Sequence, residues 1–539
     1  MLRIRLLAAL VAGVALLVPV ASARAALETL VQDDASLLHR PADQARVSMQ
    51  KLRSLGVDRV RLTANWSVLT RSPDSEQRPD GFDARDPGAY PQAVWQGLDD
   101  AVRLAHEAGL KVMIDIGFWA PRWATTDAPG PRARTNINAA RFADYAVAVA
   151  RRYGGSFAPL PTVVPPPPPS QDQTLLDMLL GGPSGGKPPF VTSLKPLPAV
   201  DQFVLWNEPN HPSLLLPQWK GRGKQAKPAS PAIYARMVRA AYAAVKPLRP
   251  EASFLLGNTS SDGGKAPSGA VAPLLFLREL ACVDAKLRPL ETKACKQFKR
   301  LPGDGWAHHP YARQLRPDNS ADESKPDNAR VGSLNRLSKL LRRLAARKRI
   351  AKALQRIHIT EFGYETSPIA GRPTLSQARQ ARWITWAEYL SSRVPGVVTY
   401  AQFLLRDLPP GPVRVSTSKA RGFGQYYSGL QTVEGKDKLA ATSFTAGLFA
   451  LRTSERRVLL WGRLRLGAGA KAIGIERKRG DGKWRLVSSL TVDGRQAFKM
   501  KTPFVSRALY RLRWPRADGT TGAGLPIRPV TPFKPAATR

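Results

Sequence analysis

Between residues 27 and 452, eight apolar strand-like runs alternate with stretches of helical periodicity. The runs begin near Glu28, Val57, Lys111, Asp201, Ser253, Gly305, Ile357 and Val397. Such alternation is the signature of a fold built from repeated βα units. Asp201, Ser253, Gly305 and Ile357 follow one another at equal intervals of 52 residues. Eight units at this period predict an α/β chain folded as a (β/α)8 TIM barrel. An open doubly wound sheet is the alternative, but no Gly-rich phosphate loop follows the first strand.

One interval is out of step, the 90 residues from Lys111 to Asp201. Its cause is a Pro/Gly-rich insertion over 158–198, which includes Pro165 to Pro169 and a Gly/Pro/Ser/Lys stretch from Gly181 to Pro189. Without it the spacing returns to that of its neighbours. The insertion follows a predicted helix, Ala139 to Tyr153, and precedes a strand. This places it on the barrel face opposite the active site, as an extended polyproline segment without a catalytic part. Past residue 452 the pattern changes. Short strands are predicted over Arg457–Arg465, Ala470–Lys478, Trp484–Val492, Gln496–Lys501 and Ala508–Trp514, with turns at Gly480-Asp481-Gly482 and Asp493-Gly494. The barrel is thus assigned to 26–452 and a small all-β sandwich to 453–515. Residues 516–539, rich in Thr, Gly and Pro, are expected to form a flexible tail.

A chain of 539 residues with 43% apolar side chains can bury a core of this size. The start reads as an export signal over 1–25. Arg3 and Arg5 precede an apolar run from Leu6 to Val20, and Ala23-Arg24-Ala25 offers small residues for cleavage. An uncleaved anchor is the alternative. Once the signal is removed no membrane span is expected, and the reading is of a secreted, extracellular monomer. Cys282 and Cys295 could then form a disulfide, the alternative being two buried thiols. They cannot build a structural zinc site alone, and the six histidines show no HExxH spacing, so no metal and no cofactor are predicted.

The formal net charge of +41 invites a nucleic-acid reading. The charge is spread along the chain, however, and no nucleic-acid motif accompanies it. Even the densest basic run, Arg336 to Arg356, carries Leu334, Leu337, Leu341 and Leu344 at the spacing of one buried helix face. A surface suited to anionic cell-envelope polymers or acidic glycans is one reading. Compositional bias is the other.

Chemistry concentrates at the predicted strand ends. The run Phe203-Val204-Leu205-Trp206-Asn207-Glu208-Pro209-Asn210 ends strand four in a carboxylate, and Ile357-His358-Ile359-Thr360-Glu361-Phe362-Gly363 does the same for strand seven. Barrel active sites lie at the C-terminal ends of the strands, and strands four and seven face each other across the mouth. Two opposed carboxylates are what glycosidic hydrolysis requires: one protonates the leaving oxygen and the other attacks or stabilises the anomeric carbon. Like charges held close should raise the pKa of the acid and keep it protonated. At strand six, Gly305-Trp306-Ala307-His308-His309-Pro310-Tyr311 offers hydrogen bonds to the nucleophile. At strand two, Arg61 offers a fixed positive charge, with Trp66 close behind it. Trp66 and Trp119 are among several aromatics near strand ends on which sugar rings could stack.

The segments WNEPN, HHPY and ITEFGYE, in this order over residues 27–452, resemble clan A glycoside hydrolases, near the cellulase-like and β-xylosidase-like families. The resemblance implies that Glu208 is the acid/base and Glu361 the nucleophile of a retaining glycosidase acting on β-linked oligo- or polysaccharide by double displacement. It implies that Asn207 binds the sugar 2-hydroxyl, that His309 and Tyr311 line the site, and that Arg61 is the strand-two arginine. The eighth strand, Tyr400-Ala401-Gln402-Phe403, departs from the pattern because it lacks the tryptophan often found there. A non-catalytic carbohydrate-binding barrel and a basic envelope-binding protein are the competing readings. Both glutamates being present argues against the first.

Overall fold

The computed structural model describes residues 27–128, 132–159, 195–366, 374–409, 426–516 and 518–533. The export segment and residues 160–194 of the insertion lie outside them.

Eight parallel strands close into a barrel: β1 (Glu28–Gln32), β2 (Arg59–Ala64), β3 (Lys111–Ile116), β4 (Gln202–Leu205), β5 (Ser253–Ser260), β6 (Gly305–His309), β7 (Ile357–Ile359) and β8 (Val397–Phe403). Each pairs with its neighbour in sequence, and β1 closes the ring by pairing with β8, Glu28 opposite Thr399 through Gln32 opposite Phe403. The strands are rich in apolar residues and buried on both sides, as parallel strands under a helical layer must be. The main covering helices are α1 (Ala42–Ser54), α2 (Gln92–Glu107), α3 (Ala139–Arg152), α4 (Ser230–Val245), α5 (Pro273–Leu280), α6 (Leu334–Ala346), α7 (Gln377–Ser392) and α8 (Leu439–Thr445). The predicted basic helix is α6. Its five leucines are buried, the four predicted among them, and Arg342 and Arg343 face out. The stem of the insertion is tied shut where it leaves α3, with the Leu197 amide bonded to the Phe157 carbonyl at 2.8 Å and the Val200 amide to the Tyr153 carbonyl at 3.0 Å. Leu197 is buried, so the last residues of the 158–198 segment belong to the barrel.

Cys282 and Cys295 are disulfide-bonded. The bridge closes the segment that follows α5, before β6 begins. Closing a loop of about 15 residues removes roughly 3 kcal/mol of unfolded-state entropy.

The C-terminal region is two antiparallel sheets around one core. One is β9 (Ala446–Arg452), β10 (Arg457–Leu464) and β13 (Ala497–Pro503). The other is β12 (Arg485–Asp493), β11 (Ala470–Arg479), β14 (Ala508–Pro515) and β15 (Thr521–Ala523). Two expectations are corrected here. The β region begins at Ala446 rather than 453, because α8 runs directly into β9 with no turn residues to mark the change. The described part of the tail is also ordered into the domain. β15 pairs with β14, Ile527 is buried beside Tyr510, and the Val530 amide bonds to the Ala450 carbonyl at 2.9 Å. Main-chain pairing at a sheet edge needs no apolar side chains, so Thr/Gly composition concealed it. The barrel and the sandwich meet along α7, where Trp386 stacks on Phe449 at 5.3 Å and Glu388 pairs with Arg465 at 2.6 Å.

Among the described residues no helix is long and apolar enough to cross a membrane.

Candidate active site

Six consecutive strands, β2 to β7, each send a polar side chain to the C-terminal mouth of the barrel. Arg61, Asp115, Asn207, Asn258, His309 and Glu361 form one buried hydrogen-bonded network, and Glu208 stands at its edge.

Arg61 is the hub and is fully buried. Its Nη1 donates to Glu361 Oε1 at 2.6 Å and to Gln32 Oε1. Its Nη2 donates to Asp115 Oδ2 at 2.6 Å and to Asn207 Oδ1 at 3.0 Å. Burial alone would lower the arginine pKa, but Asp115 and Glu361 override it and hold the guanidinium charged. Asp115 is pushed up to about 6 by burial, against the pull of Arg61. The second oxygen of Glu361 accepts from the Tyr311 hydroxyl at 3.1 Å. Burial and the adjacent Glu361 charge raise the Tyr311 pKa far above the ordinary range, so this group remains a donor. Glu361 is therefore held by one donor on each oxygen, an arrangement that fixes a carboxylate in place.

Glu208 follows β4 in a left-handed backbone conformation, with φ of 37°. Such conformations are uncommon for a residue other than glycine or asparagine and gather at functional sites. Its amide bonds to the Asn258 carbonyl at 3.0 Å, and its Oε1 lies 2.9 Å from His309 Nδ1. Burial pushes the Glu208 carboxyl up, but His309, His211 and Arg61 together hold it below its ordinary value. This corrects the expectation of a raised pKa, because His309 lies within hydrogen-bonding distance of Glu208 and outweighs the cost of burial together with His211 and Arg61. One oxygen of Glu208, one oxygen of Glu361 and one His309 nitrogen all lie within 4.8 Å of one another.

These three atoms could in principle share a cation. The charged guanidinium of Arg61 lies 2.6 Å from Glu361 Oε1 and would repel such a cation. The donor set is thus better matched to a pair of opposed carboxylates.

Two predicted site residues are placed differently. Trp66 is fully buried, stacked on Tyr145 at 5.3 Å and edge-on to Trp123 at 5.8 Å, so it is core and offers no face to a sugar. It opens a short helix that folds back under the β2 loop, which the strand-end pattern did not reveal. Trp119 is half-buried after β3. Its indole N–H donates to the Ser213 carbonyl at 2.8 Å, and Arg132 lies over its ring at 5.1 Å. It braces the β3 loop against the β4 loop. Arg61 contacts carboxylates as expected, and it does so from beneath the site, with no exposed surface of its own.

Sequence reading missed Asp115, Gln32 and Asn258. A lone charge inside the apolar run Lys111–Ile116 was a signal for the first. Gly257-Asn258 inside a strand was a signal for the last, since a glycine there marks a bulge that re-aims a side chain. The β5–β6 register does shift between Gly257 and Thr259, and Asn258 has φ of 48°. At the end of β8, half-buried Phe403 stands edge-on to Tyr311 at 6.4 Å and to Tyr426 at 5.3 Å, where a tryptophan was lacking.

No family model matches the sequence, and no curated protein does. Solved glycoside hydrolases are similar in structure. A GH5_18 from Bifidobacterium longum subsp. infantis is 15% identical, with 78% of each chain covered and a TM-score of 0.42. A GH5_18 from Streptomyces cattleya, in complex with GlcNAc, is 16% identical, with 78% of this chain and 79% of that one covered and a TM-score of 0.41. A GH30 endoxylanase from Clostridium papyrosolvens C71 is 10% identical, with 90% and 96% covered and a TM-score of 0.41.

Proposed function

We propose that this protein is a retaining glycoside hydrolase acting on β-linked glycan by double displacement, with Glu361 as nucleophile and Glu208 as acid/base. The observation that carries the reading is the approach of the two carboxylates to within 4.8 Å at the ends of opposing barrel strands. Retaining enzymes hold this pair about 5–5.5 Å apart, whereas inverting ones leave about 6.5–9.5 Å for a water. The division of labour follows from the partners. Arg61 and Tyr311 hold Glu361 by one donor on each oxygen and keep it aimed, as a nucleophile needs. Glu208 has an oxygen, Oε2, without a protein partner among the described residues, and it can reach a leaving group. The amide nitrogen of Asn207, whose oxygen is taken by Arg61 and Asn258, is left to donate to a sugar hydroxyl.

The test separates the two glutamates by leaving group. Glu208→Ala should keep much of its first step on aryl glycosides with acidic phenols, accumulate a glycosyl-enzyme and regain turnover with azide. Glu361→Ala should be slow on every substrate. An inverted anomeric product from the wild type, or full activity in both variants, would overturn the reading.

We further propose that the protein is exported and acts at the cell envelope. The charge of +41 and the leader-like start at Arg3 to Ala25 support this. A cavity of about 1020 Å³ lies where the barrel floor meets the sandwich. Arg53, Lys471 and Arg495 line it without a carboxylate partner among the described residues. Retention on an acidic polysaccharide should be strong at low salt and fall steeply as screening shortens to roughly 10 Å at 0.1 M. Salt-insensitive retention would contradict it.

A further inference from the structure

The polarity of the hydrogen bonds around Glu208 can be read outward from a single residue. A guanidinium has donors only. The Asn207 atom facing Arg61 Nη2 at 3.0 Å is therefore its oxygen. That same oxygen faces the Asn258 carboxamide at 2.8 Å, so the Asn258 atom there is the nitrogen, which also points at the Trp206 carbonyl at 3.3 Å. The other end of the amide is then Oδ1. It faces the Thr360 hydroxyl at 2.7 Å and His309 Nε2 at 2.9 Å. An amide oxygen can only accept, so Nε2 carries a hydrogen in every protonation state. Asn258 is fully buried and satisfied on both ends, and no flip of its amide could satisfy the same neighbours.

The consequence falls on the opposite side of the imidazole. With Nε2 protonated, a neutral His309 presents a bare Nδ1, and Glu208 Oε1 lies 2.9 Å away. Two bare acceptors cannot sit at that distance, so a proton lies between them. Either the Glu208 carboxyl donates to neutral His309, or the His309 imidazolium donates to the Glu208 carboxylate. We propose that Asn258 is a positioning residue that locks His309 as the Nε2–H form. Oε1 of Glu208 is thereby committed to a proton shared with His309, and Oε2 becomes the oxygen that serves the substrate.

The inference rests on the proposed hydrolase reading and gives it a proton account. In the acid form the pair carries two protons, one on the Oε1–Nδ1 line and one on Oε2. The proton on Oε2 passes to the leaving oxygen as the glycosidic bond breaks and the bond to Glu361 forms. The pair is left with one proton as an imidazolium–carboxylate. In the second step Oε2 takes a proton from a water whose oxygen bonds to the anomeric carbon as the bond to Glu361 breaks, which frees the Glu361 carboxylate and restores the starting state. His309 Nδ1 also lies 3.6 Å from Glu361 Oε2, so the proton on the Oε1–Nδ1 line faces both carboxylates. The low pKa direction of Glu208 follows from the same contact, and the group that titrates is the pair rather than either residue.

The lock can be broken at Asn258 without touching a reacting atom. The tautomer is read by 15N NMR of the imidazole, and the pH profile of kcat/KM by hydrolysis of aryl glycosides with good and poor leaving groups. Wild-type His309 should show a protonated Nε2 throughout. Asn258→Leu should release it to a population with Nδ1–H and bare Nε2. Neutral His309 then donates to Oε1, so the acid form needs one proton fewer, and the limb of the profile assigned to the pair should move by a unit or more. The change should be larger for poor leaving groups than for good ones. Asn258→Asp keeps an acceptor toward Nε2 and adds negative charge, so it should retain the tautomer and raise the pH at which His309 titrates. If Asn258→Leu does not fold, this second variant still decides. A wild-type His309 with bare Nε2, an Asn258→Leu protein with unchanged tautomer and profile, or an Asn258→Asp protein with no upward shift would each overturn the proposal. The NMR readout needs no turnover, so an inactive wild type would sink the hydrolase reading while leaving the lock itself decided.

Discussion

Arg59 and Arg61 lie two residues apart on β2, both buried, both ringed by carboxylates, and they do different work. Arg59 stands at the floor of the barrel. It donates to Asp201 at 2.5 Å, to Glu28 at 3.1 Å and to the Val112 carbonyl at 2.6 Å. Its acidic partners reach solvent, with side-chain exposures of 55% for Asp201 and 25% for Glu28. Arg61 stands at the mouth. Its partners are far drier, with side-chain exposures of 0% for Asp115 and 11% for Glu361. At the floor, water can replace a lost partner, so Arg59 fastens strand starts together at modest energetic stake. At the mouth it cannot, so Arg61 holds the polar side chains around it in place. The same residue type on the same strand is a clasp at one end and an electrostatic keystone at the other because of solvent access alone.

The sharpest way to break this comparison is Arg61→Lys. It keeps the charge and loses the fork that reaches Glu361, Asp115, Asn207 and Gln32 together. We expect kcat/KM to fall by about 100-fold or more, the scale of losing one pre-aimed donor in a dry site, with the fold retained by circular dichroism. Activity within a few-fold of wild type would place the support of Glu361 elsewhere.

Arg59→Met should do the converse. Stability by urea denaturation should drop by about 1–3 kcal/mol, since the Val112 carbonyl loses its donor while the carboxylates turn to water. The kinetics on any substrate the wild type accepts should stay near normal. Burial opposes ionisation of Asp201, but Arg59 more than offsets it and holds the pKa below 3.8. That contribution is fully present above the unfolded value and is lost as pH falls through the depressed folded one. The stability gap between wild type and variant should therefore narrow in strong acid. A gap that widened in acid would contradict the assignment.

The smallest effect is expected from the floor-side insertion. Replacing 160–194 with a short Gly/Ser linker spares Leu197 and the Phe157 pairing, and should change stability by no more than about 1 kcal/mol, as loop length enters only logarithmically. Turnover should be unchanged. Lost turnover in a folded variant would mean that this face communicates with the mouth.

How much of this was legible beforehand varies residue by residue. Glu208 and Glu361 could be read because each ends a β-rich run at barrel spacing, and chain order alone puts strands four and seven across from each other. Trp66 misled because proximity to a strand end does not say which way a large ring turns. Here a short helix swings it into the Tyr145–Trp123 cluster. Asn258 was missed because an asparagine inside an apolar strand looks like a weak strand residue until the bulge turns it inward.

The sequence by itself determined the barrel, its eight strands to within two residues at their starts, the insertion and the two opposed carboxylates. These depend on periodicity and order along the chain, which burial imposes locally. Tertiary structure alone decided the polarity of the network from Arg61 to Glu208 and the lowered pKa of Glu208. It alone decided that residues 521–530 pair into the sandwich. Each depends on which polar atoms face one another across strands tens to hundreds of residues apart. Hydrogen bonds and charges act through space over a few ångströms, and no local pattern records that distance.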